Sequence, residues 1–199
     1  MKNIIDASAA NYLNTLGIIM HECNLPETKR VRVAAGCLAI AQDHHHAIVI
    51  LLEHGRYAAS FALIRVAFEA YIRGKWLALC ASDRQVDEFS DGKEPPKFST
   101  LLSSLEQTEA FNEMAFSKVK SGLWQDLCAY THTGGLHTQH WISGESIEPR
   151  YDDKELLRAL TFVEAIGALA VIGITTLAEN ADAAQKTLKL FDERMAKRI

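Results

Sequence analysis

The segment Tyr57–Ala81 reads YAASFALIRVAFEAYIRGKWLALCA and predicts one long helix. Its apolar residues recur at intervals of three and four, which is the helical period, and no proline interrupts them. The preceding segment, Thr28–His54, has the same period, and Gly55 follows it directly. Because glycine readily takes the left-handed conformation that ends a helix, we predict an antiparallel hairpin of two helices, each about 25 residues long.

The rest of the chain also has helical periodicity, and no segment alternates cleanly between apolar and polar residues as a half-buried strand would. We predict further helices over Ile4–Glu22, from an N-cap at Ser82, over Thr100–Glu106, over Ala110–His132, from Asp152-Asp153, and over Ala181–Lys197. The expected fold is therefore all-α. It is a single helical domain spanning residues 1–199, built around the long hairpin, with a long apolar C-terminal helix alongside.

That C-terminal helix contains ALTFVEAIGALAVIGITTLA, residues Ala159–Ala178, in which Glu164 is the only charged residue. Twenty residues of helix are about 30 Å long, enough to cross a membrane. The segment is rich in Ala, Gly and Thr rather than Leu, and no second span accompanies it. We expect a helix buried in a bundle or dimer rather than a membrane span. Because it is apolar nearly all round, we also expect a homodimer to help cover it.

Composition limits the function. The 199 residues include 21 Lys+Arg against 25 Asp+Glu, and 48% are hydrophobic, which excludes a disordered chain and argues against a protein devoted to neutralising phosphates. The four cysteines are scattered among apolar neighbours, as expected of thiols in a reducing cytosol, and the N-terminus does not resemble a signal peptide. We expect a cytoplasmic protein. No phosphate-binding loop, dinucleotide motif or hydrolase elbow is present, and we expect no cofactor.

Three charged residues interrupt the apolar sequence of the Tyr57–Ala81 helix. Arg65, Glu69 and Arg73 are spaced four residues apart and therefore share one stripe of the helix. One interpretation is a surface salt-bridge ladder, which contributes a few tenths of a kcal/mol per pair. The other is an anion site in which Glu69 holds the two guanidinium groups and leaves one free for phosphate or carboxylate.

A second polar segment, YTHTGG at Tyr130–Gly135, lies at the end of a predicted helix. His132 would be in the last turn, where the exposed carbonyl groups favour an imidazolium. Thr131, Thr133 and the Tyr130 phenol supply hydroxyl groups beside it, and the two glycines allow a ligand to come close. Such a set could bind an anion or do acid–base chemistry, or it could be a helix cap with one satisfied histidine.

The abundance of histidines requires a metal site to be considered. His44, His45 and His46 fan across about 200° of a helix, and we place only His44 on its apolar face. His137 and His140 could share an ion if their segment is helical, with His44 or His132 as a third ligand. The tryptophans, Trp124 among them, lie on or beside apolar stretches and are expected to be core anchors.

Two stretches, Arg56–Ser82 and Tyr130–Leu160, resemble a family of uncharacterised bacterial proteins with a domain of unknown function. In that family a helix carrying arginine, Phe-Glu and a second Arg-Gly precedes a Tyr-Thr-His-Gly-type segment. The chain also resembles, more distantly, the helical HEPN group, which includes RNases of defence and toxin–antitoxin systems. Those RNases carry an arginine four to six residues before a histidine, and His132 has none in that window. Only a tertiary contact between His132 and Arg65 or Arg73 would rebuild such a pair.

Three hypotheses follow, and they leave open whether the protein is an enzyme. The first is a helical protein that binds a small anionic ligand or a partner through a polar cluster, in which we also include Thr133 and His44 as ligand-binding residues. The residues that we expect to form most of this polar cluster are Arg65, Glu69, Arg73, Tyr130 and His132. The second is a metal-independent RNase of HEPN type, in which Arg65 or Arg73 binds phosphate and His132 is the acid or base. The third is a metalloprotein with ligands drawn from His44, His132, His137 and His140.

Overall fold

The computed structural model describes residues 7–111 and 115–196, and within them the chain is almost entirely helical. The helices are α1 (Ala7–His21), α2 (Lys29–Glu53), α3 (Tyr57–Leu79), α4 (Asp83–Ser90), α5 (Phe98–Glu106), α6 (Ala115–Thr131), α7 (Gly135–Gln139), α8 (Asp153–Leu177) and α9 (Ala181–Ala196). A single 3-10 turn covers Glu109–Phe111, and two short strands, β1 (Ile142–Ser143) and β2 (Ser146–Ile147), pair antiparallel. The prediction of an all-α bundle is confirmed.

Helices α2 and α3 form the hairpin predicted from the sequence. The Thr28 hydroxyl caps α2 by accepting a hydrogen bond from the Val31 amide, and Gly55 makes the turn with a φ of +68°. The two helices approach closely at Gly74, where a Cβ would lie 2.8 Å from Cγ of Leu38. Leu38 is itself fully buried. Gly74 therefore lets α3 approach α2 closely at this position.

Helix α8 is the third layer of the bundle and begins where the sequence indicates. The Asp152 carboxylate caps it by accepting a hydrogen bond from the Glu155 amide at 2.6 Å. It packs against α1, α2, α3 and α9, and its apolar residues join clusters with each of these layers. Burial in a bundle thus accounts for the apolar surface within one chain. The apolar surface of α8 is therefore no longer an argument for a homodimer. The homodimer itself stays a prediction.

Two helices, α2 and α8, are long and apolar enough to cross a membrane when only length and composition are considered. In the folded chain 50% of the most apolar stretch of α2 and 61% of that of α8 are buried. Core helices of soluble proteins meet the same criterion, so this finding decides nothing about location.

The buried face of α2 differs from the predicted one. His45, not His44, is fully buried, whereas His44 is half-buried and Ile40 is 51% exposed. The reason is that α2 packs against both α3 and α8. The residues that face these two helices are offset by one residue from the apolar stripe predicted from the sequence. The placement of His44 on the apolar face is therefore wrong.

The connection between α6 and α8 is more ordered than predicted. After the break at Thr133, which has a φ of +54°, come the single turn α7 and the β1–β2 pair, whose turn contains Gly144 with a φ of +56°. Elements this short carry too few residues for periodicity to reveal them. The predicted helix over Ala110–His132 is a 3-10 turn followed by α6, and residues 112–114 lie outside the described part. The predicted helix ends at Ile4–Asp6 and Lys197 also lie outside it.

Candidate functional site

Glu69 is buried and lies between two partly exposed arginines on α3. Its Oε1 accepts a hydrogen bond from Nε of Arg65, and its Oε2 accepts one from Nη2 of Arg73, each at 2.8 Å. The Glu69 side chain is only 10% exposed, whereas those of Arg65 and Arg73 are 21% and 30% exposed. Both carboxylate oxygens are thus occupied by guanidinium groups, each of which still reaches solvent.

Arg65 also contacts the histidine that follows α6. Its Nη1 lies 2.7 Å from Nε2 of His132, an exposed residue. A guanidinium has only donors, so Nε2 of His132 is the acceptor and carries no proton in this contact. Helix α6 packs against α3. The Thr131 hydroxyl donates to the Leu127 carbonyl at 2.8 Å and lies 3.3 Å from the Ala62 carbonyl of α3, so the end of α6 contacts α3 beside His132.

Trp124 holds the Arg65 side chain from a third direction. The Arg65 guanidinium carbon lies 4.9 Å from the centre of the Trp124 ring, and Phe98 of α5 stacks on that ring at 4.7 Å with an interplanar angle of 12°. Trp124 is half-buried and packs against the hydrophobic core, as expected of a core anchor, but its contact with Arg65 was not predicted. The available signal is its spacing: Trp124 lies eight residues, or about two helical turns, before His132, which directly follows α6, so the two side chains lie towards the same side of the helix.

Tyr130, which the sequence grouped with His132, belongs to a different cluster. Residues two apart on a helix point about 200° apart, and the Tyr130 hydroxyl donates to Oε1 of Glu155 at 2.6 Å. Burial and this hydrogen bond raise the pKa of Tyr130 above its usual value, so the phenol stays protonated. We call Arg65, Glu69, Arg73, His132 and Trp124 the Arg65 cluster. Thr133 is exposed, and within the described residues no hydrogen bond links Thr133 or His44 to this cluster.

His137 in α7 and His140, which follows that helix, both contact protein groups. Nδ1 of the buried His137 donates to the Tyr130 carbonyl at 2.9 Å. His140 stacks on Tyr151 at 4.5 Å, its Nδ1 donates to the Arg150 carbonyl, and its Nε2 lies 3.2 Å from Glu155. Over residues 7–111 and 115–196, no three His, Cys, Asp or Glu side chains are grouped to hold a metal ion. The metalloprotein hypothesis therefore gains no support.

A second polar network lies in the core, away from the Arg65 cluster. Oε1 of Glu164 accepts hydrogen bonds from Nη2 and Nε of Arg194 at 2.7 and 3.1 Å, and the two side chains are only 1% and 6% exposed. Nearby, burial lowers the pKa of His45 to about 3, so this residue is neutral. This network joins α8 to α9 and has a structural role. The sequence reading noted Glu164 but missed Arg194, because thirty residues separate the two.

Comparisons with known proteins place the chain in a family. The model of DUF6988, a family of unknown function, matches residues 38–195, a span that includes α3, α6, α8 and both Arg65 and His132. The chain therefore belongs to this family. No curated protein and no solved structure matches it.

Proposed function

We propose that this DUF6988 protein binds a small anionic ligand of the phosphate class through Arg65, Arg73 and His132, with Glu69 and Trp124 as positioning residues. The observation that carries the proposal is the contact of Arg65 with His132. A guanidinium fixed by a carboxylate and an aromatic ring is directed at an exposed imidazole. Such preorganised arginines are the usual recognition groups for phosphate.

The balance of charge supports an anion. Arg65, Glu69 and Arg73 together carry one net positive charge, and an imidazolium at His132 would add a second. Each arginine has five N–H donors, and the hydrogen bonds described above engage two of those on Arg65 and one on Arg73. The remaining donors can meet the oxygens of a phosphate without breaking the Glu69 ion pairs.

The first experiment is calorimetric titration of the protein with inorganic phosphate, compared with separate titrations with sulfate and with acetate. We expect phosphate to bind and Arg65→Gln to weaken its binding about tenfold or more, because a hydrogen bond to a charged group contributes about 1.5–3 kcal/mol. The matched control is Arg84→Gln, which removes an exposed arginine of α4. The absence of anion binding, or an equal loss in the control, would contradict the proposal.

A second candidate function is metal-independent RNA cleavage, favoured by the same Arg65–His132 contact. Nε2 of His132 carries no proton in this contact, and it can accept one from a ribose 2′-hydroxyl once Arg65 turns from it to the phosphate. The 2′-oxygen then attacks the phosphorus, the bond from phosphorus to the 5′-oxygen breaks, and water supplies the proton to that leaving oxygen. Arg65 and Arg73 would stabilise the charge on the phosphate oxygens during the step.

This candidate is tested on structured RNA in the presence of a chelator. Cleavage should leave 2′,3′-cyclic phosphate and 5′-hydroxyl ends, and His132→Ala should abolish it while leaving the fold unchanged by circular dichroism. RNA that remains intact at high protein concentration rejects the RNase function. That result does not affect the phosphate-binding proposal, which the calorimetric titration tests separately.

A further inference from the structure

A cavity of about 190 Å³ opens between α3, α6 and α8, and it is separate from the contact of Arg65 with His132. We name it the α3–α6–α8 cavity. Its floor is apolar and is formed by Phe61 and Ile64 of α3 together with Leu127 and Ala159. Ligand pockets for drug-sized molecules typically measure about 300–1,000 Å³, so this one is suited to a smaller molecule.

Charges of both signs line the same cavity. Asp126 and Tyr130 are one turn apart on α6, and Glu155 and Arg158 are one turn apart on α8, so the spacing places each pair on one helix face. Glu155 accepts a hydrogen bond from the Tyr130 hydroxyl, and Asp126 lies one turn before Tyr130 on α6, so both carboxylates lie on the side of the cavity where the phenol lies. Arg158 supplies the opposite charge from the next turn of α8.

Within residues 7–111 and 115–196, two of these charges have no protein partner. Among the residues that the structure describes, the side chains of Asp126 and Arg158 make no hydrogen bond and no ion pair with protein groups, although both line one small cavity. Glu155 is held in place because Tyr130 donates to its Oε1 and His140 lies 3.2 Å from the same oxygen. The cavity thus presents a positioned carboxylate, a free carboxylate and a free guanidinium around an apolar floor.

We propose that the α3–α6–α8 cavity binds a free α-amino acid with an apolar side chain. The ammonium group lies between Asp126 and Glu155, the carboxylate pairs with Arg158, and the side chain packs on Phe61, Ile64 and Leu127. A zwitterion satisfies both free charges at once, which neither an amine nor a carboxylic acid of the same size can do. The apolar floor selects against polar side chains, because burying them without partners is costly.

The test is a titration of the full chain with leucine, valine, phenylalanine and serine. It also includes two analogues of leucine: isoamylamine, which lacks the carboxylate, and 4-methylpentanoate, which lacks the ammonium group. We expect an apolar amino acid to bind about tenfold more tightly than either analogue and than serine. Equal binding of one analogue, preference for serine, or no binding up to about 10 mM would overturn the proposal.

Two charge variants connect binding to this cavity. Asp126→Asn and Arg158→Gln change exposed side chains, so the fold should persist, and each should weaken amino acid binding about tenfold. Glu53→Gln, an exposed carboxylate at the end of α2, is the matched control and should leave the affinity unchanged. Binding that is insensitive to both cavity variants would place the ligand elsewhere and contradict the assignment. Phosphate affinity, measured in parallel, should be the same in these variants because the two sites use different residues.

Discussion

Nη1 of Arg65 on α3 lies 2.7 Å from Nε2 of His132, sixty-seven residues later, at the end of α6. Glu69 and Trp124 fix the guanidinium in that direction, and the imidazole faces solvent. The contact joins the two polar motifs that stand out in the sequence. It has consequences for proton uptake, for ligand affinity and for the role of the surrounding side chains.

Phosphate binding should take up a proton. In the free protein Nε2 of His132 accepts from Arg65, whereas a bound anion favours the imidazolium form, in which both ring nitrogens donate. The measured heat of binding at neutral pH should therefore depend on the ionisation enthalpy of the buffer. In His132→Gln that dependence should be clearly smaller, and what remains belongs to phosphate, which itself exchanges protons at neutral pH. A wild-type heat that is the same in phosphate-free buffers of low and high ionisation enthalpy would exclude proton uptake.

The aromatic ring beneath Arg65 should matter for phosphate affinity. Trp124→Ala removes the ring that lies 4.9 Å from the guanidinium carbon and frees the arginine to move, so we expect phosphate affinity to fall about threefold to tenfold. Trp124→Phe keeps an aromatic face and should retain most of the affinity. If the alanine and phenylalanine variants bind phosphate equally well, Trp124 has no positioning role.

Several of these relationships could be predicted from the sequence and others could not. The hairpin follows from the helical period around Gly55, and the ion pairs of Glu69 follow from its spacing to Arg65 and Arg73. The partner of Tyr130 could not be predicted, since Glu155 lies on another helix and only tertiary packing brings it within 2.6 Å. The same holds for the burial of His45 in place of His44, which depends on two neighbouring helices at once.

Gly167 of α8 is required by the buried histidine of α2. A Cβ at this position would collide with the His45 imidazole and would lie 2.8 Å from Oε1 of Gln42. We expect Gly167→Ala to lower the free energy of unfolding by about 2 kcal/mol or more, as measured by urea denaturation.

The matched control is Gly36→Ala, because Gly36 is also helical but has no atom within 4 Å of the added Cβ. That substitution should raise stability by about 0.5–1 kcal/mol, since alanine is the better helix former. Combining Gly167→Ala with His45→Ala should show a coupling of about 1 kcal/mol or more. Strictly additive changes in the free energy of unfolding would mean that there is no steric clash between the two positions.

Stability should fall in acid in part because of His45. Its pKa is about 3 in the folded chain against an ordinary 6.5, so between these values the unfolded chain takes up a proton that the folded chain does not. The contribution is complete above pH 6.5 and is lost as the pH falls towards 3, at up to about 1.4 kcal/mol per pH unit. A folded His45→Gln variant should show a shallower decline. An NMR titration in which the His45 ring protonates near pH 6.5 would contradict the assignment.

The most direct test of the anion site is a double-mutant cycle on phosphate affinity with Arg65→Gln, His132→Gln and the double variant. Because the two side chains act on one ligand and on each other, we expect the double variant to lose clearly less affinity than the sum of the single losses, with a coupling of about 1 kcal/mol or more. Losses that add, or single variants that bind phosphate as well as the wild type, would contradict it.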